Sequence, residues 1–176
     1  MENQTTSSKS VMLSHGLMQG IASILLSVII YAMGQSYEQP TWVSIVSIII
    51  TIVFIMMGLK KFKASNDGYL KLGEAIKIGL GIALIAALIY VAYFILFVNV
   101  IEPDFYTNMG AVQEQKWIDQ GLTDEQIEGA KAMMAKMSNP MMTSGIVLIT
   151  SLFFGFIISL IAGLIMKNTK EEITSI

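Results

Sequence analysis

The sequence has 176 residues, of which 54% are hydrophobic and only 14% charged, and its net charge is −2. So apolar a composition is unusual for a soluble domain and indicates a membrane protein. All eleven basic residues are lysines, and the lack of arginine's planar, bidentate group argues against nucleic acid as a partner. The chain also has no cysteine, which excludes disulfides, thiolate nucleophiles and thiolate zinc sites.

Four apolar windows are long enough to cross a bilayer. A helix rises about 1.5 Å per residue and the hydrocarbon layer is about 30 Å thick, so a span takes about 20 mainly apolar residues. The windows are 11–33, 42–59, 75–101 and 144–166. The first is longer than the apolar region of about 7 to 15 residues in a signal peptide, so we interpret it as a span. The whole chain, 1–176, is then predicted to form a single membrane domain.

Lysines are distributed unevenly between the two sides of these spans. The first side consists of the two tails and the loop between spans two and three, with eight lysines and five acids: Lys9, Lys60, Lys61, Lys63, Lys71, Lys77, Lys167, Lys170, Glu2, Asp67, Glu74, Glu171 and Glu172. The second side has three lysines and eight acids: Lys116, Lys131, Lys136, Glu38, Glu102, Asp104, Glu114, Asp119, Asp124, Glu125 and Glu128. Because cytoplasmic loops are enriched in positive residues, we predict that both termini are cytoplasmic and that the protein lies in a bacterial inner membrane.

Small residues recur at every fourth position in spans three and four. The rows are Ala75, Gly79, Ala83 and Ala87 in span three, and Ser151, Gly155, Ser159 and Gly163 in span four. Helices in lipid associate through close contact between small residues. We therefore predict that spans three and four cross along these rows, with a homodimer through the same rows as the alternative. Gly16 and Gly20 predict a similar close contact on span one.

Polar side chains follow one face of each of the first two spans. The polar residues are His15, Gln19, Ser23 and Ser27 in span one, and Ser44, Ser47 and Thr51 in span two. Polar side chains in lipid are better satisfied when they face a neighbouring helix. The pattern therefore favours the interior of a bundle, and a pathway for a solute is the alternative.

The segment 102–143 is predicted to form two short helices outside the membrane. Pro103 suits the first position of the first helix. Thr123 and Gln126 have the spacing of a capping box at the start of the second helix, which is predicted to run to about Met137. The predicted fold is thus an all-α integral membrane protein, a four-transmembrane-helix bundle with a short two-helix extracytoplasmic segment between spans three and four.

No combination of residues suits catalysis, a cofactor or a metal ion. His15 is the only histidine and has no carboxylate or cysteine partner in its segment. The interiors of the spans carry no acidic residue, which argues against a proton pump or antiporter. The five methionines between Met133 and Met142 are soft ligands suited to Cu(I), but apolar contacts are the favoured interpretation. We therefore predict no catalytic residue, no cofactor and no metal site.

Three short motifs carry a resemblance to a known family. They are Gly73-Glu74-Ala75-Ile76-Lys77-Ile78-Gly79, Glu102-Pro103-Asp104-Phe105 and Thr123-Asp124-Glu125-Gln126-Ile127-Glu128. Over nearly its whole length the chain resembles the Bacteroidota-type membrane family called domain of unknown function 4199. The resemblance implies a small four-span protein, and it implies as a partner a membrane glycosyltransferase that acts on lipid-linked sugars.

Two kinds of function are compatible with these features. The favoured hypothesis is a non-enzymatic interaction or assembly protein, which binds a membrane protein partner or a second copy of itself and supports an envelope glycosyltransferase. The alternative is a channel or carrier for a small or lipid-like solute, based on the polar faces of spans one and two. An enzyme would require Glu102, Asp104 and Asp124 to converge on one pocket.

Overall fold

A computed structural model describes residues 7–38 and 40–169. Four acidic or basic residues counted above, Glu2, Lys170, Glu171 and Glu172, lie outside the described residues. The described chain is helical apart from turns and a single bridge between Leu70 and Asn168. Its elements are α1 (Ser8–Ala32), α2 (Thr41–Ser65), α3 (Leu72–Leu96), a π-helix (Phe97–Ile101), α4 (Phe105–Asp119), α5 (Asp124–Met137) and α6 (Pro140–Met166).

Four of these helices are long and apolar enough to cross a membrane, namely α1, α2, α6, and α3 together with the π-helix. The protein is therefore an all-α, multi-pass membrane protein. Some helices are longer than the apolar windows in the sequence, since α2 continues to Ser65 and α6 begins at Pro140. The reason is that hydropathy marks only the part of a helix that lies in hydrocarbon, and a helix continues through polar residues such as Lys60 once it leaves the membrane.

The two ends of the bundle differ in charge. The lysine end comprises the start of α1, the α2–α3 loop and the residues after α6, with Lys9, Lys60, Lys61, Lys63, Lys71, Lys77 and Lys167. Hydrogen bonds close this end: Leu70 and Asn168 exchange two backbone bonds of 2.9 and 3.0 Å, and Lys63 Nζ donates to the Met166 carbonyl at 2.8 Å. The acidic end is the opposite one, where α4 and α5 lie.

All four spans meet in an apolar core near the lysine end. Its members are at most 3% exposed: Val11, Ile55, Leu59, Leu70, Ala75, Ile78, Ile82 and Ala162. Every buried residue of α2 lies in this half of the helix, since only Ile55, Gly58 and Leu59 are buried. The half of α2 near the acidic end is therefore not packed into the core.

Close contacts at glycine positions hold α1 and α6 against α3. A Cβ atom added to Gly16 would lie 2.7 Å from Ile85 Cβ, and one added to Gly20 would lie 2.9 Å from Ile89 Cβ. These distances are shorter than any ordinary contact between carbon atoms. Only glycine therefore lets α1 approach α3 this closely.

The small-residue rows of α3 and α6 contact each other in antiparallel order. A Cβ atom added to Gly163 would lie 2.8 Å from Ala75 Cβ, and one added to Gly155 would lie 2.6 Å from Ala83 Cβ. Between these two contacts, Ser159 packs against Gly79 and donates its hydroxyl proton to the carbonyl of its own helix at Gly155. The contact thus runs over about two helical turns without a bulky side chain between the backbones.

The two short helices cover the acidic end. The predicted capping box of α5 is present, with Gln126 N donating to Thr123 Oγ1 at 3.4 Å and Thr123 N donating to Gln126 Oε1 at 2.9 Å. The prediction that Pro103 occupies the first position of α4 is wrong. Pro103 lies in a turn closed by a bond from Phe105 N to the Glu102 carbonyl, and α4 begins only at Phe105.

Enlarging Gly155 tests the contact between α3 and α6. We expect Gly155→Leu to lower the free energy of unfolding by about 1–3 kcal/mol, because the new side chain overlaps Ala83. The control is Gly145→Leu in the same helix, where an added Cβ meets nothing within 4 Å. Unfolding of both variants in mixed micelles measures the difference, and equal losses would contradict the prediction.

Candidate functional site

A cavity of about 890 Å³ lies between the spans, on the acidic-end side of the apolar core. Residues of α1, α2, α3 and α6 form its walls, and residues of α4 and α5 cover it. Its volume is near the upper end of the range of about 300–1,000 Å³ that is typical of binding sites for small molecules. The interior of the bundle is therefore not filled by side chains in this half.

Small residues on all four spans contribute to this space. Ala83, which meets Gly155 of α6, lines the cavity, and so do Ala87 and Ser151, the next members of the two rows. Ser23 and Ser47 line it from α1 and α2. The four-residue repeat that brings α3 and α6 together near the lysine end thus continues into the cavity wall.

One wall is polar and belongs to α1, α2 and the loop between them. Its polar residues are Gln19, Ser23, Ser27, Gln35, Ser36, Ser44, Ser47 and Thr51. Three members of the polar row predicted in span one are brought together here. His15, the fourth, does not line the cavity, since its ring lies beside Gly58, and Nδ1 is 3.0 Å from the Val11 carbonyl.

Hydrogen bonds on the polar wall leave it with acceptors. Ser47 donates to the Val43 carbonyl at 2.8 Å and Thr51 donates to the Ser47 carbonyl at 3.0 Å, so both hydroxyl protons point into the backbone. Gln19 Nε2 donates to Thr51 Oγ1 at 3.2 Å. Within the described residues, two buried side-chain oxygens lack a hydrogen-bond partner, Gln19 Oε1 and Gln35 Oε1, and both residues line the cavity.

The opposite side of the cavity is mainly apolar. α3, the π-helix and α6 contribute Ala83, Ala86, Ala87, Phe94, Phe97, Ile146 and Val147, and the cover contributes Phe105, Met109, Trp117, Ala130, Met133, Met134 and Met137. The polar residues on this side are Tyr90, Tyr106, Ser138, Thr143 and Ser151. Methionine side chains are flexible and adapt to differently shaped apolar partners. Among the described residues, no aspartate, glutamate or lysine lines the cavity. The site is thus uncharged, with one polar and one apolar side.

The cavity is open on the side of α2 and α6. Ser44 and Ser47 of α2 and Ile146 of α6 line it and are also exposed. These two helices contact each other over fewer residues than α2 shares with α1 or α3. The acidic end, by contrast, is covered by α4, which is joined to α6 through the hydroxyls of Tyr106 and Thr143 at 2.9 Å.

A carboxylate holds the cover to α1. Glu102 accepts hydrogen bonds from the hydroxyls of Tyr37 at 2.8 Å and Tyr31 at 3.1 Å, and from Asn108 Nδ2 at 3.2 Å. The π-helix (Phe97–Ile101) lies directly before Glu102. A π-helix shifts the residues that follow it around the helix axis, and such turns are frequent at functional sites. The sequence motif that contains Glu102 therefore anchors the cover.

The environment of Tyr37 favours its protonated form. Burial, followed by the hydrogen bond to Glu102, raises the pKa of Tyr37 above its ordinary value of 10.0. The phenol donates to Glu102, and the raised pKa extends this state to higher pH. This arrangement positions the cover and does not supply a general base.

The carboxylates that an enzyme would need have separate environments. Glu102 is bound to tyrosine and asparagine side chains, whereas Asp104 and Asp124 are exposed. Within residues 7–38 and 40–169, no three histidine or acidic side chains are grouped as a metal site requires.

These features define a helical, multi-pass membrane protein with an uncharged cavity between its spans. The family model described as protein of unknown function (DUF4199) matches residues 14–168. Since the match runs from within α1 to just beyond α6, the chain belongs to this family, as the three motifs predict. Comparisons with curated proteins and with solved structures gave no match.

Removing the charge of Glu102 tests the anchor. In Glu102→Gln we expect the pKa of Tyr37 to fall toward 10.0 but to stay above it, because burial is the larger cause of the shift. Titration of tyrosinate absorbance, compared with the same protein carrying Tyr37→Phe, isolates this group. Glu114→Gln, in α4 but outside the cluster, is the control. An unchanged Tyr37 pKa in Glu102→Gln would contradict the anchor.

The same shift predicts how stability depends on pH. Because the pKa of Tyr37 is higher in the folded protein than in the unfolded chain, its contribution to stability is present below pH 10.0 and is lost as the pH rises through the raised value. Tyr37→Phe should lose this alkaline dependence.

Proposed function

We propose that this protein binds a small, uncharged, lipid-like molecule in the cavity and holds or carries it within the membrane without catalysis. The cavity between the spans is the observation that carries the proposal. Its polar wall on α1 and α2 opposes an apolar side on α3, α5 and α6. An amphiphilic molecule matches both sides at once, with its polar group toward α1 and its apolar part toward α3.

The lining favours an amphiphile over water alone. A buried water molecule needs two to four polar partners, and most of the polar residues of the cavity lie along one wall. Phe94 and Met134 lack dispersion contacts on the side that faces the cavity, and an alkyl or isoprenoid chain would supply them. A ligand with an apolar part therefore accounts for more of the lining than a small polar solute does.

The position of the opening supports entry from the lipid. The opening lies beside α2 and α6, and both helices are apolar enough to span the bilayer. α4 and α5 lie over the acidic end, where Met133 and Met137 line the cavity and are also exposed. A molecule that is already dissolved in the membrane would enter between α2 and α6 without crossing into water.

The role in assembly with an envelope glycosyltransferase stays a prediction. Such a role needs an external contact surface, whereas the distinguishing feature of this bundle is an internal volume. Ligand binding is therefore the function that we favour.

We further propose that the lysine end is cytoplasmic, that α4 and α5 are extracytoplasmic, and that the protein lies in a bacterial inner membrane. The lysines at the first end and the acidic residues of α4 and α5 support this orientation, because positive residues are retained on the cytoplasmic side.

Filling the cavity tests the proposed function. We expect Ser47→Trp to reduce the amount of lipid-like molecule that purifies with the protein by at least about tenfold, because the indole occupies the binding volume. The control is Ile49→Trp, two residues further along α2, which does not line the cavity and is 52% exposed. Native mass spectrometry, with extraction of the bound molecule, gives the ratio. Equal retention by both variants would contradict the proposal.

Cysteine labelling tests the orientation, and the absence of natural cysteine makes single substitutions specific. Ala64→Cys places a thiol on an exposed turn at the lysine end of α2, and Ala132→Cys places one on exposed α5. In intact cells a membrane-impermeant maleimide should label only the second variant, and after lysis it should label both. The reverse pattern in intact cells would overturn the orientation.

A further inference from the structure

We propose that the cavity selects a neutral lipid with a free hydroxyl group, and that Gln19 Oε1 accepts the hydrogen bond from that hydroxyl. The inference rests on the proposed function and adds the chemical class of the ligand. Its starting point is that Gln19 is 6% exposed and lines the cavity, while its carbonyl oxygen lacks a partner within the described residues. Folded proteins rarely leave a buried polar atom unpaired, because the lost hydration is not replaced.

The neighbouring hydrogen bonds determine the orientation of the Gln19 amide. Nε2 donates to Thr51 Oγ1, and the Thr51 hydroxyl donates in turn to the Ser47 carbonyl. If the amide were reversed, Oε1 would face an oxygen whose only proton is already used, and Nε2 would lose its acceptor. The carbonyl oxygen is therefore the atom of Gln19 without a partner, and because it has almost no accessible surface, the Gln19 side chain must shift slightly for a ligand hydroxyl to reach it.

Three other side chains of the polar wall also offer acceptor oxygens: Ser47, Thr51 and Gln35. Because the hydroxyl protons of Ser47 and Thr51 point into the backbone of α2, these side chains offer lone pairs rather than protons. Gln35, nearer the cover, has a second buried carbonyl oxygen without a partner in the described chain. A ligand hydroxyl can donate to these oxygens, whereas an ether or ester oxygen would meet a second acceptor at Gln19 Oε1.

Charged head groups fit this cavity poorly, because no charged residue of the described chain lines it. A phosphate or carboxylate would lie against acceptor oxygens with no lysine lining the cavity, and an ammonium group would be buried without a carboxylate. Burying an unpaired charge costs far more than burying a hydrogen-bonded hydroxyl. A neutral amphiphile remains, and the unpaired oxygen of Gln19 favours one that carries a hydroxyl donor.

The test uses tryptophan fluorescence, because Trp117 lines the cavity and Trp42, which does not, is the only other tryptophan. In a Trp42→Phe background, Trp117 reports the arrival of a monoacylglycerol with a brominated acyl chain. The comparison ligands have the same chain and carry methylated hydroxyls or a phosphate. We expect the free-hydroxyl form to quench at a concentration at least about tenfold lower than either comparison ligand.

A substitution of Gln19 tests whether this residue is responsible for the preference for a free hydroxyl. We expect Gln19→Leu to abolish the preference for the free hydroxyl and to leave quenching by the methylated ligand unchanged. Gln115→Leu, which removes an exposed amide bonded to Asp119, should keep the preference. The comparison of ligands on the parent protein needs no variant at this site, so a folding defect in Gln19→Leu does not prevent the test.

The outcomes separate the inference from the proposed function. Equal quenching by the hydroxyl and methylated ligands overturns the inference and leaves lipid binding intact, and so does tighter binding of the phosphate form. Competition by glycerol at the same concentration as the monoacylglycerol overturns the requirement for an apolar chain. If none of these molecules quenches Trp117 and none purifies with the protein, the proposed function itself fails.

Discussion

The close approach of α1 and α6 to α3 is the constraint on which the rest of this structure depends. Lipid gives helices no reason to hide apolar surface, so contact must come from shape. Gly16 and Gly155 bring the backbones together at positions where any larger side chain would overlap its neighbour. Because these contacts and the apolar core lie toward the lysine end, the bundle is packed there and leaves space toward the acidic end.

The polar residues of α1 and α2 are tolerated because they combine two ways of satisfying a polar group in lipid. Ser47 and Thr51 return their hydroxyl protons to their own helix, which removes the cost of burying a donor. Gln19 bridges the two helices through one atom of its amide and keeps the other unpaired. Most polar groups of Ser47, Thr51 and Gln19 are therefore paired within the helix interface, and the Gln19 carbonyl oxygen can still accept a hydrogen bond.

The acidic end is held together by hydrogen bonds and by a small aromatic core of its own. Glu102 collects three donors from α1, the following loop and α4, while Phe105 stacks edge-on against Phe94 and Phe97. These contacts fix the cover over the cavity without filling it. The opening is left at the side, where α2 is least attached.

The sequence by itself determined the features that depend on neighbours along the chain: four apolar windows, two ends of different charge, small-residue rows, the capping box of α5 and the family. It misplaced the start of α4, since the turn at Pro103 depends on where Glu102 is held. The cavity, its uncharged lining and the two unpaired amide oxygens were decided only by the tertiary structure. The volume of an internal cavity depends on the sizes of side chains from several helices together, and a pattern along one segment of the sequence does not contain this information.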